Sequence, residues 1–541
     1  MYPPQKAQKE QTASAKPRRH FVTSALFVAE PVWASIRPFL FAGLLLALLL
    51  PASAFAQKKD KERPKLLPMS RRDFAGKVFL VPRDARVLEL KTLGQIADHY
   101  LVLPPSRMLD PKPQAEPLLE WFKSQAFTGT SGAVVSLESL AGDATAEEIH
   151  LRLQTIKQIR KQHPKLQIYG FASIDSSNPI SKLICQTAIE LVAENSLDFL
   201  LIGQDEDLSL KPAQIARARL IGEIAQQEAA DRIAFDDDPD SAAATLLARL
   251  FVRRFGWSPK ILPVYSSNEG RQSRQSRDAV PLDQSIAAKI NLNGGLALPL
   301  DPESIPRLDV LLYVHTPQTS EEQRAAFASN ILQTVDKGAR VAVVDFSESM
   351  ENKEALLAEL RRHKLLGKII AYASCSPTGN PAKENTREAA SRALAQTTVF
   401  FVAMKSLRDD IDRVHRIDRA QANLLFSRLL KDWAYDLIVR PQVDQFVRDR
   451  LKSDPDKFDE ETADRAVQFT FDALKPKADE LFDEQFRRNT HVYLMNNGSR
   501  VQFRVSLLQR LQIRFPLQKT SKAEIRQMIH TFYEGTLESI N

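Results

Sequence analysis

The stretch Asp198-Phe199-Leu200-Leu201-Ile202-Gly203-Gln204-Asp205-Glu206-Asp207 decides the fold class. An unbroken apolar run this short suits a strand buried on both faces, the situation of a parallel sheet. The run passes directly into a polar, acidic tip. Open α/β sheets bind their ligands at the carboxyl ends of such strands. Gln204, Asp205 and Glu206 therefore stand where chemistry is expected.

Outward from this stretch, strand and helix signals alternate in both directions. Val78-Phe79-Leu80-Val81, Ala133-Val134-Val135-Ser136-Leu137 and Lys260-Ile261-Leu262-Pro263-Val264-Tyr265 read as strands, with helices of ten to fifteen residues between such runs. That rhythm means βαβ units around a parallel sheet. The polar segment 268–278 reads as a surface loop and 289–300 as a loop with a Gly294-Gly295 turn. The alternation then resumes through residues 309–396. From Val399 the chain reads as mostly helical. A hairpin follows, with a turn at Asn496-Asn497-Gly498-Ser499, and a helix is expected over 522–531. The expected fold is α/β: two units with mainly parallel sheets flanked by helices, 73–280 and 281–398, and a C-terminal helical region with a small β hairpin, 399–541.

The N-terminal part has a different character. After Arg37, Phe39 to Leu50 form an apolar run, Pro51 breaks it, and Ala52-Ser53-Ala54-Phe55-Ala56 follows. A basic region, an apolar core and an A-x-A site make residues 1–56 an expected signal peptide cleaved after Ala56. The run is shorter than the roughly 20 residues of a spanning helix. Retention as an uncleaved anchor is the alternative, with no membrane span expected after cleavage. Residues 57–72 read as a basic linker. The expectation is an exported bacterial protein, periplasmic or extracellular. Residues 1–56 carry +4 of the formal net charge of +7, which leaves +3 for the remainder. A charge so small over so long a chain is no footprint for nucleic acid. The two cysteines, Cys185 and Cys375, exclude a disulfide framework and read as small buried residues.

Polar residues recur at the ends of successive strands: Asp84 with Arg86, Glu138, Gln204-Asp205-Glu206, Asp236-Asp237-Asp238, Ser266-Ser267, His315 and Asp345. Paired carboxylates serve as general acid and base, or hold a hard divalent cation. Asp84, Glu138, Asp205 and Glu206 are the candidate catalytic groups. Arg86, Gln204, Ser267, His315 and Asn380 are candidates for holding substrate. The cofactor is unassigned, although Asp205 and Glu206 could carry a divalent cation. Each residue also has a plain structural role available: Asp236–Asp238 as helix caps, Asp84 with Arg86 as a local ion pair, His315 as a satisfied core histidine. G-x-G-x-x-G, Walker A, G-x-S-x-G, H-E-x-x-H and C-x-x-C motifs are absent.

The ordered series of short motifs resembles one family. Val81-Pro82-Arg83-Asp84-Ala85-Arg86 is similar to P-L-D-x-R-P, Leu103-Pro104-Pro105 to L-P-P and Val135-Ser136-Leu137-Glu138 to V-S-L-D. Ile202-Gly203-Gln204-Asp205-Glu206 is similar to L-G-Q-D-D, Tyr265-Ser266-Ser267 to Y-S-S and Val314-His315-Thr316-Pro317 to V-N-T-P. Ala371-Tyr372-Ala373 through Thr378-Gly379-Asn380 resembles A-Y-x-G-W-N-T-x-G-N, and Leu430-Lys431-Asp432-Trp433-Ala434-Tyr435 resembles L-x-D-W-x-Y. Together they resemble the bacterial family known as domain of unknown function 4127, over roughly residues 77 to 440. Val87 replaces the proline after Arg86, Leu140-Ala141-Gly142-Asp143 replaces a Gly-Gly loop, and Cys375-Ser376-Pro377 replaces W-N-T. The resemblance implies a divergent member. It brings no reaction with it, but it points to Asp84, Arg86, Gln204, Asp205 and Asn380 as site residues.

The expected function is that of an exported, hydrolase-like enzyme with a carboxylate-lined cleft for a polar, carbohydrate-type substrate. A solute-binding protein of the envelope is the alternative, and an envelope scaffold the third reading. The expected partner is a small molecule or glycan.

Overall fold

The structure is a computed structural model that describes residues 74–541 except 111, 205–209, 228, 275–279, 300–306, 348, 375–387, 458, 516–522 and 538–541. The signal segment, the linker, Asp205, Glu206, Asn380 and Cys375 thus lie outside the described residues. Cys185 is a free, buried thiol.

Six strands form the first sheet: β1 Gly76–Val81, β2 His99–Val102, β3 Thr130–Ser136, β4 Ile168–Ser173, β5 Phe199–Gly203 and β6 Ile233–Asp236. All pair in parallel, in the order β2-β1-β3-β4-β5-β6. Every residue of β5 is buried, as its apolar run requires. Its side chains alternate between two cores. Phe199 and Leu201 face the helix Ala242–Phe255, whereas Leu200 and Ile202 face the helix Pro179–Ala193.

The second sheet contains β7 Lys260–Tyr265, β8 Leu296–Ala297, β9 Val310–His315, β10 Val341–Asp345 and β11 Ala371–Ser374. It too is parallel, in the order β8-β7-β9-β10-β11. Counted from its own first strand, this is the order of the first sheet less one strand. It is one of the two common doubly wound orders, in which the chain reverses direction between the first and third strands. The boundary between the sheets falls before β7, a strand that the sequence reading places in the first unit.

A single core spans both sheets. Val78, Leu80 and Leu201 of the first share it with Ile261, Leu312 and Val344 of the second. Between them lie the helices Ala242–Phe255 and Glu388–Ser406. The latter is buried without interruption from Ala389 to Met404, which no amphipathic surface helix could be.

The C-terminal region has helices Ile411–Leu429, Arg440–Asp449 and Glu460–Leu481, with a wide-pitched π segment, Leu430–Val439, joining the first two. A three-stranded antiparallel sheet follows, of β12 Thr490–Leu494, β13 Arg500–Arg514 and β14 Glu524–Leu537. The β12–β13 hairpin turns through Gly498 at φ +83°, with Gly498 N donating to Met495 O at 3.0 Å.

Three sequence expectations are corrected, the first being the loop expected over 268–278, which opens with a short helix, Asn268–Gln272, capped by Ser267. Residues 524–531 are strand, not helix. Ile525, Gln527 and Ile529 form a buried face, β13 supplies the ladder, and Asn423 and Ser427 accept from the backbone of Ile529 and Gln527. Tertiary pairing overrides local propensity here. Residues 289–292 are not loop but the end of the helix Leu282–Leu292, whose Leu282, Ile286 and Ile290 are fully buried at helical spacing.

A Cβ at Gly203 would stand 2.6 Å from Pro239 Cβ and 2.9 Å from its Cα. Gly203→Val is therefore expected to cost roughly 1–3 kcal/mol of unfolding free energy in denaturant titration. Gly222→Ala, in open space on the helix Lys211–Gln226, is expected to stabilise by roughly 0.5–1 kcal/mol.

Candidate functional site at the carboxyl edge of the first sheet

The strand order reverses between β1 and β3, and the candidate residues that follow these two strands meet there. Asp84 Oδ1 accepts from its neighbour Arg86 N at 2.8 Å, and Oδ2 accepts from Arg86 Nε and Nη2 at 2.9 and 2.6 Å. Arg86 Nη2 and Arg83 Nη1 both donate to Asp240 Oδ1 at 3.3 Å. Arg83 Nε lies 3.4 Å from Glu138 Oε2, and Glu138 Oε1 accepts from Ser173 N at 2.7 Å. Two arginines thus join the carboxylates of Asp84, Glu138 and Asp240, whose side chains retain 20%, 24% and 37% exposure. Burial would lower the Arg86 pKa, but Asp240 and Asp84 raise it, so the guanidinium stays charged. Such half-exposed pairs contribute only about 0–1 kcal/mol each. Their consequence is geometric: they fix ionised groups around a solvent-accessible edge.

Beneath this group lies a dry one. Lys289 Nζ, on the helix Leu282–Leu292, donates to Asp236 Oδ1 at 2.7 Å, to Asp237 Oδ1, and to Ser391 Oγ at 3.3 Å. The Lys289 and Asp236 side chains are 4% and 2% exposed. One ammonium cannot neutralise three consecutive carboxyls. Burial and the adjacent Asp237 push the Asp236 carboxyl up to about 6, against the pull of Lys289. Asp238, buried and close to Glu388 and Asp236, is raised well above the usual carboxylate range. It also acts as a cap, accepting from Ser241 N at 3.3 Å and from Ser241 Oγ. Burial opposes the charge on Lys289, yet the carboxyls around it raise its pKa and keep it protonated.

A third group connects the helices to the second sheet. Arg392 and Arg428 are both buried and both bind Glu89, at 2.6 and 3.0 Å. Burial would raise the Glu89 carboxyl, but the two arginines hold it well below the usual range. Arg428 Nη1 also donates to Gln396 Oε1 at 2.7 Å. Asp432 Oδ2 accepts from Ser374 N and Oγ, both at 3.0 Å, at the carboxyl end of β11. Asp432 lies on the π segment, where residues five apart align. Lys431 and Asp436 accordingly pair at 3.1 Å.

The remaining candidates have these places. Gln204 is buried. Its N donates to Asp236 O at 2.9 Å and its Nε2 to Ala213 O at 3.1 Å, which ties β5 to β6 and to the next helix. Ser267 and His315 belong to the second sheet, Ser267 after β7 and His315 at the end of β9, where the order of that sheet reverses. Ser267 Oγ accepts from Gly270 N at 2.9 Å and lies 3.0 Å from Thr316 Oγ1. His315 Nδ1 bonds Asp345 Oδ1 at 2.9 Å and Ser347 Oγ at 3.2 Å, and its buried Nε2 has no partner among the described residues. Burial would raise the Asp345 carboxyl, but His315 and Ser347 bring it below its ordinary value. Asp84, Arg86 and Glu138 therefore gather at the first sheet's reversal point and Ser267 and His315 at the second's, while Gln204 stands apart, after β5.

Lys289, Arg392, Arg428 and Asp432 were not singled out in the sequence as site residues. Only Asp432 carried a signal, as part of the L-x-D-W-x-Y resemblance. Among the described residues no group of three or more His, Cys, Asp or Glu could hold a metal ion. No described helix is long and apolar enough to cross a membrane.

Fold and site together define an α/β protein with two doubly wound sheets and a charged edge. The chain belongs to the family described as protein of unknown function DUF4127, which matches residues 78–182 and 180–524. No curated protein matches it. Among solved structures, the Tyr-to-Ala variant of the carboxyl transferase domain of Rhizobium etli pyruvate carboxylase, with pyruvate, is similar at 8% identity and a TM-score of 0.18, over 85% of this chain and 88% of that one. The same domain without the substitution or pyruvate gives 10% identity and a TM-score of 0.16, over 85% and 88%. Likenesses this weak carry no argument about fold or function.

Removing Lys289 leaves a buried carboxylate without its cation. Lys289→Met is expected to destabilise by roughly 3–5 kcal/mol in chemical unfolding. Asp238 gives a pH test. A carboxyl whose folded pKa lies above its unfolded value keeps a proton that the unfolded chain has released, so stability is lost as pH rises through that window. Asp238→Asn retains the cap acceptor without this titration. Relative to the parent, it is expected to gain stability as pH rises from about 4 to about 7, measured by denaturant unfolding at both pH values.

Proposed function

We propose that the protein is an exported, hydrolase-like enzyme acting on a polar, carbohydrate-type substrate at the carboxyl edge of the first sheet. The reading rests on the meeting of Asp84, Glu138 and Asp240 through Arg83 and Arg86 where the strand order reverses. Arg83 and Arg86 pair with the accessible carboxylates, while the buried Asp236 and Asp238 carboxyls nearby are pushed toward the protonated form. Carboxyl groups whose environments drive their pKa values apart are the pattern of acid and base partners. Asp205 and Glu206 follow Gln204 directly in the chain and would supply the acid–base oxygens. Export would follow cleavage after Ala56, placing the enzyme in the bacterial periplasm or outside the cell.

A second reading, a non-catalytic solute-binding protein of the envelope, draws on a different observation. Each carboxylate of the switch-point group is already engaged by an arginine or a backbone N–H. Groups so engaged hold a ligand better than they transform it.

The two readings separate in one set of assays. The purified protein is incubated with nitrophenyl glycosides and oligosaccharides, and sugar release is followed. Loss of turnover by about 10²-fold or more in Asp205→Asn and in Asp84→Asn is expected for acid–base groups. Unchanged turnover in both variants would remove the hydrolase reading. Saturable sugar binding in calorimetry, without turnover by the parent, would establish the second reading instead.

A further inference from the structure

The opposite, amino-terminal edge of the first sheet carries a feature that the proposed function does not use. A cavity of about 350 Å³ opens there between the starts of β1 and β3, lined by Gly76, Thr130, Lys165, Gln167, Arg253 and Arg254. Lys165, Arg253 and Arg254 have no carboxylate partner among the described residues, in contrast to Arg160, Arg392, Arg416 and Arg428. No acidic side chain lines the cavity. Arg253 and Arg254 occupy the last turn of the helix Ala242–Phe255. That place suits the helix dipole but leaves both guanidinium groups un-neutralised. The Thr130 hydroxyl is buried and has no hydrogen-bond partner among the described residues. Gly129, at φ +68°, has open space where a Cβ would stand, so the backbone rim is bare.

The adjoining cavity, of about 470 Å³, shares Gly76 and Gly129 with the first and is lined by Phe74, Phe79 and Tyr100. Phe74 and Tyr100 are ring neighbours, with centroids 6.1 Å apart. One end of the combined groove therefore offers unpaired cations and a hydroxyl, the other aromatic faces. Guanidinium forks bind oxyanions bidentately, and aromatic rings take up flat apolar groups.

We propose that this groove binds a small molecule with an anionic phosphate-type head and an aromatic body, at a site separate from the carboxyl edge. The head sits among Lys165, Arg253, Arg254 and the Thr130 hydroxyl. The body lies against Phe74 and Tyr100. The position, on the far side of the sheet from Asp84 and Glu138, makes the site independent of the proposed hydrolytic one.

Calorimetric titration of the purified protein with 1-naphthyl phosphate and with inorganic phosphate tests this. Naphthyl phosphate is expected to bind more tightly than phosphate. Arg253→Gln with Arg254→Gln is expected to weaken both probes by about tenfold or more, with an unchanged thermal midpoint because both side chains are exposed. Phe74→Ala is expected to weaken only the naphthyl probe. Absence of binding of either probe at millimolar concentration would overturn the proposal. So would naphthyl phosphate binding that survives the double arginine replacement, or equal affinity for the two probes.

Discussion

The structure depends on keeping one charged helix out of water. Glu388–Ser406 runs through the common core, and Arg392 comes with it. A guanidinium in that setting is tolerable only when it is fully paired. Glu89 provides the pairing and is itself shared with Arg428. Glu89 lies on the helix after β1, Arg392 on the central helix and Arg428 on the helix Ile411–Leu429. The single carboxylate thus ties the first sheet to the C-terminal region through the middle of the molecule. Lys289 with Asp236 does the same between the second sheet's helix and β6.

Both sheets repeat one strand order, and each collects polar side chains at its reversal point. The two collections differ in chemistry. The first is ionic, built from carboxylates and arginines that remain in contact with solvent. The second is built mainly of hydroxyls, with those of Ser266, Ser267, Thr316 and Thr319 bonded to one another and His315 turned to Asp345. Among the described residues the first collection is open to solvent and the second mostly buried, and for this reason the functional reading falls on the first.

What the sequence disclosed follows from which interactions are local. The strands were legible because runs such as Phe199 to Ile202 are apolar on both faces. The strand order was not, because it depends on where each crossover helix lands. The meeting of Asp84 with Glu138 was therefore only an assumption from sequence, and the part of Asp240 was not foreseen. Lys289 was hidden because residues 289–300 read as a loop, where a lysine is solvated, whereas it lies on the helix Leu282–Leu292 and points to buried carboxylates. β14 was hidden because Gln527 and His530 interrupt its apolar alternation, and its pairing partner is β13. The Asn-Gly turn, by contrast, is wholly local and was legible. Asp205, Glu206 and Asn380 lie outside the described residues, so the site is built here from its frame.

The shared core has a mechanical implication. Two sheets that each carried a private core could part about a linker and admit a ligand between them. Here Val78 and Leu201 occupy the same apolar cluster as Leu312 and Val344, with a fully buried helix between. Separating the sheets would wet that cluster and strip Arg392 and Lys289 of their partners. The two sheets share one packed interior, and a ligand does not enter by parting them as a jaw.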